Sequence, residues 1–185
     1  VPLELPDFRV DWQRLADAIT PRTRLIFINS PHNPSGALLS HADLDQLAAL
    51  IREREIWLIS DEAYEHLVFD GMQHASVLAH EELYQRALVV SSFGKTYHVT
   101  GWKTGYVVAP PALSAELRKV HQFVTFVAVT PLQHALADFM VEHPEHITEL
   151  PAFYQAKRDL FCDQLAASRF TFSRTPGTYF QLADY

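Results

Sequence analysis

The chain is organised around one stretch, Ser91-Ser92-Phe93-Gly94-Lys95-Thr96-Tyr97-His98-Val99-Thr100-Gly101-Trp102-Lys103-Thr104-Gly105-Tyr106. It lies between two apolar runs, Ala87–Val90 and Tyr106–Ala109, which we predict to be buried strands. A lysine among small residues at the end of a buried strand is unusual, because burying an ammonium group is costly. Such an amine can act as a nucleophile toward a carbonyl group, although a lone lysine in a loop more often points to water.

Composition limits the classes of function. The chain has 185 residues, of which 48% are hydrophobic and 20% charged, which is typical of a globular protein. Its net charge of -7 argues against nucleic acid or an anionic membrane as a partner. The longest apolar run, near Phe123–Val129, is much shorter than the roughly 18 residues of a membrane span. The first residues contain no signal-like pattern, so the cytoplasm is the expected compartment.

The first part of the chain alternates predicted strands with predicted helices. Arg24–Asn29 is a continuous apolar run, as expected of a strand that is covered on both faces. Ile56–Ile59 is a second buried strand, and Ser40 is expected to cap the helix between these two strands, with Asp43 three positions later. This alternation favours an α/β fold with a mostly parallel sheet.

The C-terminal third is predicted to be mostly helical. Its three helices are expected to begin at cap or proline signals, namely Ser114, Thr130-Pro131 and Pro151. The last of these helices should end near Ala167. Two strands are predicted to follow it, Phe170–Phe172 and Tyr179–Leu182.

Three polar segments begin where predicted strands end. They are Asn29–Gly36, Ser60–Tyr64 and Ser91–Lys95. Ligands of parallel α/β sheets bind beyond the carboxyl ends of the strands. If the strands are parallel, one edge of the sheet collects the side chains of Asn33, Asp61, Tyr64, Ser92 and Lys95.

An amine, a carboxylate, a phenol, an amide and a hydroxyl at one edge suit pyridoxal phosphate. Lys95 would bond to the cofactor's aldehyde, and Asp61 would pair with the pyridine nitrogen and keep it protonated. Tyr64 and Asn33 could hydrogen-bond the ring's phenolic oxygen, and Ser92 and Lys103 could hold the phosphate. Each residue alone is better explained by an ordinary structural role, such as an Asx turn for Asn33 or core packing for Tyr64. Three strand-end segments that carry complementary groups are much harder to explain in that way.

Four motifs together resemble those of the class I/II aminotransferases, which are pyridoxal-phosphate enzymes of fold type I. The motifs are Asn33-Pro34-Ser35-Gly36, Ser60-Asp61-Glu62-Ala63-Tyr64, Ser92-Phe93-Gly94-Lys95 and Gly101-Trp102-Lys103-Thr104-Gly105. Their order and spacing match the family through essentially the whole chain. The similarity is strongest to the subgroup of methionine and kynurenine/glutamine aminotransferases.

The resemblance implies a role for each matching residue. Lys95 would be the Schiff-base lysine and would also move a proton at the substrate α-carbon. Asp61 would bind the pyridine nitrogen, Asn33 and Tyr64 the ring oxygen, and Ser92 and Lys103 the phosphate. The family most often has arginine at the last position, and a lysine there gives up the bidentate fork.

The resemblance also implies the architecture. Residues 1–150 would form part of a three-layer α/β/α cofactor-binding domain, and residues 151–185 a linking helix and the start of a small α+β C-terminal domain. Tyr106–Ala109 would be antiparallel in the otherwise parallel sheet. Because family members are about twice as long, the chain is interpreted as an internal fragment that is inactive alone, from an enzyme that would be a homodimer.

The expected function is transfer of an amino group from an L-amino acid, such as methionine, glutamine or an aromatic amino acid, to a 2-oxo acid. Three alternatives remain open at this point. The same site could support β-elimination from cysteine conjugates or cystathionine, the chain could belong to a cofactor-sensing regulatory module, or it could be an inactive fragment. His134, His143 and His146 lack both an HExxH pattern and nearby cysteine ligands, so no metal site is predicted.

Overall fold

The computed structural model describes residues 1–185 and builds them around a four-stranded sheet. Its strands, in spatial order, are β3 (Leu25–Asn29), β4 (Trp57–Asp61), β5 (Ala87–Ser92) and β6 (Gly105–Val108). The first three are parallel to each other and β6 is antiparallel to β5. A separate antiparallel pair precedes them, β1 (Leu3–Glu4) with β2 (Arg9–Val10). The mostly parallel α/β sheet and its antiparallel last strand are therefore confirmed.

Seven α-helices accompany the strands. In chain order they are α1 (Trp12–Ala18), α2 (His41–Ile51), α3 (Glu81–Tyr84), α4 (Phe93–Thr96), α5 (Pro111–Val124), α6 (Thr130–Glu142) and α7 (His146–Leu165). Two short 3₁₀ turns, Val77–Ala79 and Thr100–Trp102, lie between them. None of the helices is both long and apolar enough to cross a lipid bilayer.

The main core lies between α2 and one face of the sheet. One stripe of α2 is fully buried and consists of Leu44, Leu47, Ala48 and Ile51. It packs against alternate residues of the strands, namely Ile26, Leu58, Ala87 and Val89. The helix begins as predicted, because Ser40 Oγ accepts from the Asp43 amide at 3.2 Å and the Asp43 carboxylate accepts from the Ser40 amide at 2.8 Å.

The opposite face of β3 and β4 is open in these 185 residues. Leu25, Phe27 and Trp57 expose 47%, 60% and 49% of their surface. Successive side chains of a strand point to opposite faces, so α2 can cover only every second residue. The prediction that Arg24–Asn29 is covered on both faces was therefore wrong for this chain.

The predicted helix starts were displaced. α5 begins at Pro111, so Ser114 lies inside it, where its hydroxyl donates to the Ala109 carbonyl at 3.0 Å. Thr130 is the first residue of α6 rather than its cap. α7 begins at His146, and Pro151 lies inside it. Contacts of residues before Pro151 explain this early start, because Leu150 is buried and His146 Nε2 hydrogen-bonds the Thr96 carbonyl at 2.7 Å.

The two predicted C-terminal strands do not form. Their region contains a single antiparallel bridge between Thr171 and Asp184, and a second bridge joins Val68 to Gly177. The Gln181 amide instead donates to the carbonyls of Ser173 and Leu182, each at 2.8 Å, which holds the segment in an irregular conformation. The division of the chain after residue 150 falls within α7 and stays a prediction.

Candidate active site

The strand-end segments meet at one edge of the sheet, and Asn29 connects two of them. Asn29 and Asp61 are paired in register at the ends of β3 and β4. The Asn29 amide donates to the Asp61 carbonyl at 2.9 Å, and its side-chain oxygen accepts from the Asn33 amide at 2.8 Å. Asn33 is thereby held close to the end of β4.

The loop that carries Asn33 depends on a glycine. Gly36 has a φ of 73°, and a Cβ at this position would lie 2.5 Å from the Gly177 carbonyl oxygen. A side chain would therefore be strained and would also push away the C-terminal segment. Gly36 thus closes the loop against residues near Thr175 and Gly177, which the motif alone did not reveal.

Tyr64 lies at the centre of the candidate site. It is only 4% exposed, and its hydroxyl lies 3.5 Å from the Asn33 amide nitrogen, at the limit of a hydrogen bond. The Lys95 Nζ lies 5.7 Å from the centroid of the Tyr64 ring. Burial, then Tyr179 and the charge of Asp61, raise the pKa of Tyr64 well above its ordinary value. The phenol therefore keeps its proton at neutral pH and is a hydrogen-bond donor.

Asp61 keeps much of its hydrogen-bonding capacity. The carboxylate is partly buried, and one of its oxygens accepts from the Ala63 amide at 3.1 Å. The charge of Asp61 is close enough to Tyr64 to raise the pKa of that phenol. Since Tyr64 also contacts Lys95, the three predicted residues share one edge rather than opposite faces of the sheet.

Lys95 lies in α4, directly after β5. Ser92 caps this short helix, with its hydroxyl accepting from the Gly94 amide at 3.2 Å. A Cβ at Gly94 would lie 2.9 Å from the Thr100 Cα, so glycine permits the tight return of the chain. The amine of the partly buried Lys95 makes no hydrogen bond or ion pair, and its recorded contact is with the Tyr64 ring.

Ser92 and Lys103 are less closely associated with this group. Ser92 pairs in register with Gly105, two residues after Lys103, so both lie at the same edge of the sheet. The Ser92 hydroxyl already serves as the cap of α4. Lys103 is exposed, with a φ of 53° at the end of a 3₁₀ turn, and no side-chain partner holds it. The structure records no contact between either residue and Tyr64.

Two carboxylates behind the site were not predicted. Glu62 is 1% exposed and accepts from Ser60 Oγ at 2.9 Å, His74 Nε2 at 2.8 Å and the Val77 amide at 3.0 Å. Burial by itself raises the pKa of Glu62, but the hydrogen bonds from His74 and Val77 and the nearby His74 ring outweigh it and lower the pKa below 4.5.

The second carboxylate, Glu65, joins the Tyr64 segment to two strands. One oxygen accepts from Ser91 Oγ at 2.5 Å and from Tyr106 Oη at 2.7 Å. Sequence analysis also missed Tyr179, whose ring packs edge-on against Tyr64 with centroids 5.4 Å apart. The sequence shows Asp61, Glu62, Tyr64 and Glu65 close together in one segment, but it does not show which distant residues each side chain contacts.

The groups gathered here fit pyridoxal phosphate chemically. A free amine suits an aldehyde, a carboxylate with spare capacity suits a ring nitrogen, and a protonated phenol suits a ring oxygen. These three groups are the Lys95 amine, the Asp61 carboxylate and the Tyr64 phenol. The exposed Lys103 adds a cation for the phosphate.

Comparison with known proteins gives consistent matches over the whole chain. The family sequence profile described as "Aminotransferase class I and II" matches residues 1–185. The chain is 54% identical to a methionine aminotransferase of Escherichia coli over 183 residues, which are 99% of this chain and 47% of that protein. It is 34% identical to kynurenine–oxoglutarate transaminase 1 of Rattus norvegicus, covering 96% of this chain and 44% of that protein.

Solved structures give the same result. N-succinyldiaminopimelate aminotransferase from Mycobacterium tuberculosis superimposes with a TM-score of 0.92 at 36% identity, over 97% of this chain and 48% of that one. The chain thus spans about half the length of the curated relatives and structures it matches, with 47% of the Escherichia coli protein as an example.

Proposed function

The chain belongs to the class I and II aminotransferase family, and on that premise we propose that the polypeptide containing it transfers the amino group of an L-amino acid to a 2-oxo acid. We propose further that this polypeptide is about twice as long as the chain, since the chain spans 47% of its Escherichia coli relative. The family uses pyridoxal phosphate, which supplies an electron sink for the carbanion at the substrate α-carbon.

One observation carries the proposal. The Lys95 amine has no ion-pair partner and lies 5.7 Å from the ring centroid of Tyr64, and the charge of Asp61 is close enough to the same Tyr64 phenol to raise its pKa. Lys95 would hold the cofactor covalently by condensing with its aldehyde, with loss of water, and its amine, when free, would move a proton between the substrate α-carbon and the cofactor. Both tasks require an amine that is not held by a carboxylate.

The remaining residues would orient the cofactor. Asp61 would hold the proton on the pyridine nitrogen, because its second oxygen is available to accept. Tyr64 would donate to the ring oxygen, with Asn33 beside it at 3.5 Å. Ser92 and Lys103 would bind the phosphate, which requires Lys103 to turn toward the sheet edge from its exposed position.

Methionine is the donor that we propose to test first. The relative that carries this activity in its name is 54% identical to the chain, whereas the kynurenine–oxoglutarate transaminase of Rattus norvegicus is 34% identical. The three relatives named above act on chemically different donors, so the side-chain pocket rather than the Lys95 group would select among them.

The test compares Lys95→Ala with Lys119→Ala in the full-length protein loaded with pyridoxal phosphate. Lys119 is an exposed residue of α5 that pairs with Glu116, so its loss should change neither spectrum nor turnover. Lys95→Ala should lose both the visible absorption band and the formation of the 2-oxo acid of methionine. Retention of the band and of turnover in Lys95→Ala would refute the proposal.

A further inference from the structure

The geometry points to Glu65 as a positioning residue that sets the separation of Tyr64 and Lys95. This inference deepens the proposed function and rests on it for the role of these two side chains. Glu65 itself touches neither the reacting amine nor the cofactor's expected place. It would act through the segments that carry them.

The contacts of Glu65 join three segments through a single carboxylate oxygen. Glu65 directly follows Tyr64 in the chain, and its Oε1 accepts from Ser91 Oγ at 2.5 Å and from Tyr106 Oη at 2.7 Å. Ser91 and Tyr106 face each other in the β5–β6 register. The segment that contains Tyr64 is therefore fixed to β5 and β6 close to the end of β5, and Lys95 follows that end in the chain.

Tyr106 extends this link to α4. Its ring lies 5.0 Å from that of Phe93, the first residue of the helix that contains Lys95. Burial above all raises the pKa of Tyr106 to about 12; the hydrogen bond with Ser91 opposes this rise, and the hydrogen bond to Glu65 and the charge of Glu65 add to it. The phenol therefore donates to Glu65 throughout the neutral range, and the link does not depend on ordinary changes of pH.

The surroundings of Glu65 favour a fixed geometry. Its side chain is 18% exposed, and His66 Nε2 approaches the same oxygen at 3.9 Å. Its charge also contributes to the raised pKa of Tyr97, after burial. A hydrogen bond to an ionised acceptor in a half-buried place is shorter and stronger than one between neutral groups, so Glu65 resists displacement.

The experiment uses the cofactor-loaded full-length protein and the variants Glu65→Ala, Glu65→Gln and Tyr106→Phe. A hydrogen bond from Tyr64 to the ring oxygen favours the charged oxygen, so loosening Tyr64 should raise the pH midpoint of the visible band. We expect a rise of about 0.5–1 pH unit in Glu65→Ala, with a fall in kcat larger than the change in KM. Glu65→Gln keeps an acceptor oxygen and should recover most of the wild-type midpoint.

A second comparison separates positioning from mere stabilisation. Leu47→Ala removes a fully buried side chain of α2 and should lower the melting temperature without moving the midpoint. The double variant Glu65→Ala/Tyr106→Phe should shift the midpoint no further than Glu65→Ala alone, because both changes remove the same link. A lowered melting temperature with an unmoved midpoint in Glu65→Ala would reduce Glu65 to a structural anchor and overturn the inference.

A cofactor-free readout keeps this test independent of the proposed function. In a crystal structure of Glu65→Ala without cofactor, the distance from Lys95 Nζ to the Tyr64 ring centroid should exceed the 5.7 Å seen here by about 1 Å or more. An unchanged distance would overturn the inference even if transamination is established. Absence of a Lys95-dependent band in the wild type would instead refute the proposed function and leave the distance measurement to decide the role of Glu65.

Discussion

The two sides of the Asp61–Glu65 segment contrast sharply. On the site side, the Asp61 carboxylate accepts one hydrogen bond, from the Ala63 backbone amide, and Tyr64 faces an amine that has no hydrogen-bond or ion-pair partner. On the anchor side, Glu62 is 1% exposed with three donors around it, and Glu65 accepts from two hydroxyls. The adjacent residues Asp61 and Glu62 thus carry the same type of group, but the Glu62 carboxylate is fully hydrogen-bonded within the protein and the Asp61 carboxylate can still accept from a ligand.

This difference shows how the fold keeps polar groups available for a ligand. A buried polar group without a partner costs roughly 1–3 kcal/mol, so unsatisfied groups persist only where the surrounding structure holds them in place. The anchor side supplies that support, since Glu62 fastens the segment to residues 74–77 and Glu65 fastens it to β5 and β6. On the site side, the Asp61 carboxylate and the Lys95 amine can then keep hydrogen-bonding capacity that is not used within the protein.

The largest expected effect tests the site side. In the cofactor-loaded full-length protein, Asp61→Asn should lower kcat/KM by about 10²–10³-fold, or about 3–4 kcal/mol, because an amide cannot hold a proton on the pyridine nitrogen. The melting temperature should stay within about 2 °C of the wild type, since the Asp61 carboxylate accepts only one hydrogen bond and the substitution leaves its main-chain contacts in place. Steady-state kinetics and calorimetry measure the two quantities. A large loss of stability would erase the contrast with Glu62.

The reciprocal change tests the anchor side. Glu62→Gln should lower the free energy of unfolding by about 2–3 kcal/mol, measured by urea denaturation of the full-length protein. A glutamine amide would face His74 Nε2, and the ring could accept only by moving its proton to Nδ1. That nitrogen is buried and has no hydrogen-bond partner, so the rearrangement leaves an unsatisfied donor. Stability equal to that of the wild type would contradict the anchoring role.

A pH series sharpens the same comparison. The folded pKa of Glu62 lies below its ordinary value of 4.5, so the unfolded chain binds more protons as the pH falls through this region. The stability that Glu62 contributes is therefore complete above about pH 4.5 and is lost as the pH falls through the folded pKa, at up to about 1.4 kcal/mol per pH unit. Denaturation of the wild type and of Glu62→Gln between about pH 6 and pH 3 should give curves that converge at acid pH. Parallel curves would show that the charge of Glu62 plays no part.

The smallest expected effect concerns the loosest member of the site. Lys103→Arg should tighten binding of pyridoxal phosphate to the cofactor-free full-length protein by a few-fold, or less than about 1 kcal/mol, because a guanidinium binds phosphate through a bidentate fork. Fluorescence titration with the cofactor measures this, with Lys119→Arg as the control on exposed α5. A large change in either direction would mean that Lys103 is held more firmly than its exposure indicates.

Much of the architecture was predictable because it depends on local patterns. Alternating apolar strands and amphipathic helices indicated a mostly parallel sheet, and the ends of parallel strands necessarily share an edge. In the structure the Tyr64 hydroxyl lies 3.5 Å from the Asn33 amide nitrogen and the Tyr64 ring centroid 5.7 Å from Lys95 Nζ, as this rule leads one to expect, and the cofactor-binding roles of the group stay a prediction. Helix starts were less accurate, because contacts such as that of His146 with Thr96 outweighed the cap and proline signals.

The sequence alone thus determined the sheet and the edge on which its polar segments meet, because strand periodicity and chain order translate directly into position. Only the tertiary structure decided which carboxylates are fixed and which stay available. The partners of Glu62 and Glu65 include His74 and Tyr106, which are 12 and 41 residues away in the chain. No local pattern encodes such pairs, since they arise when distant segments pack together and each buried charge must find donors or pay for its desolvation.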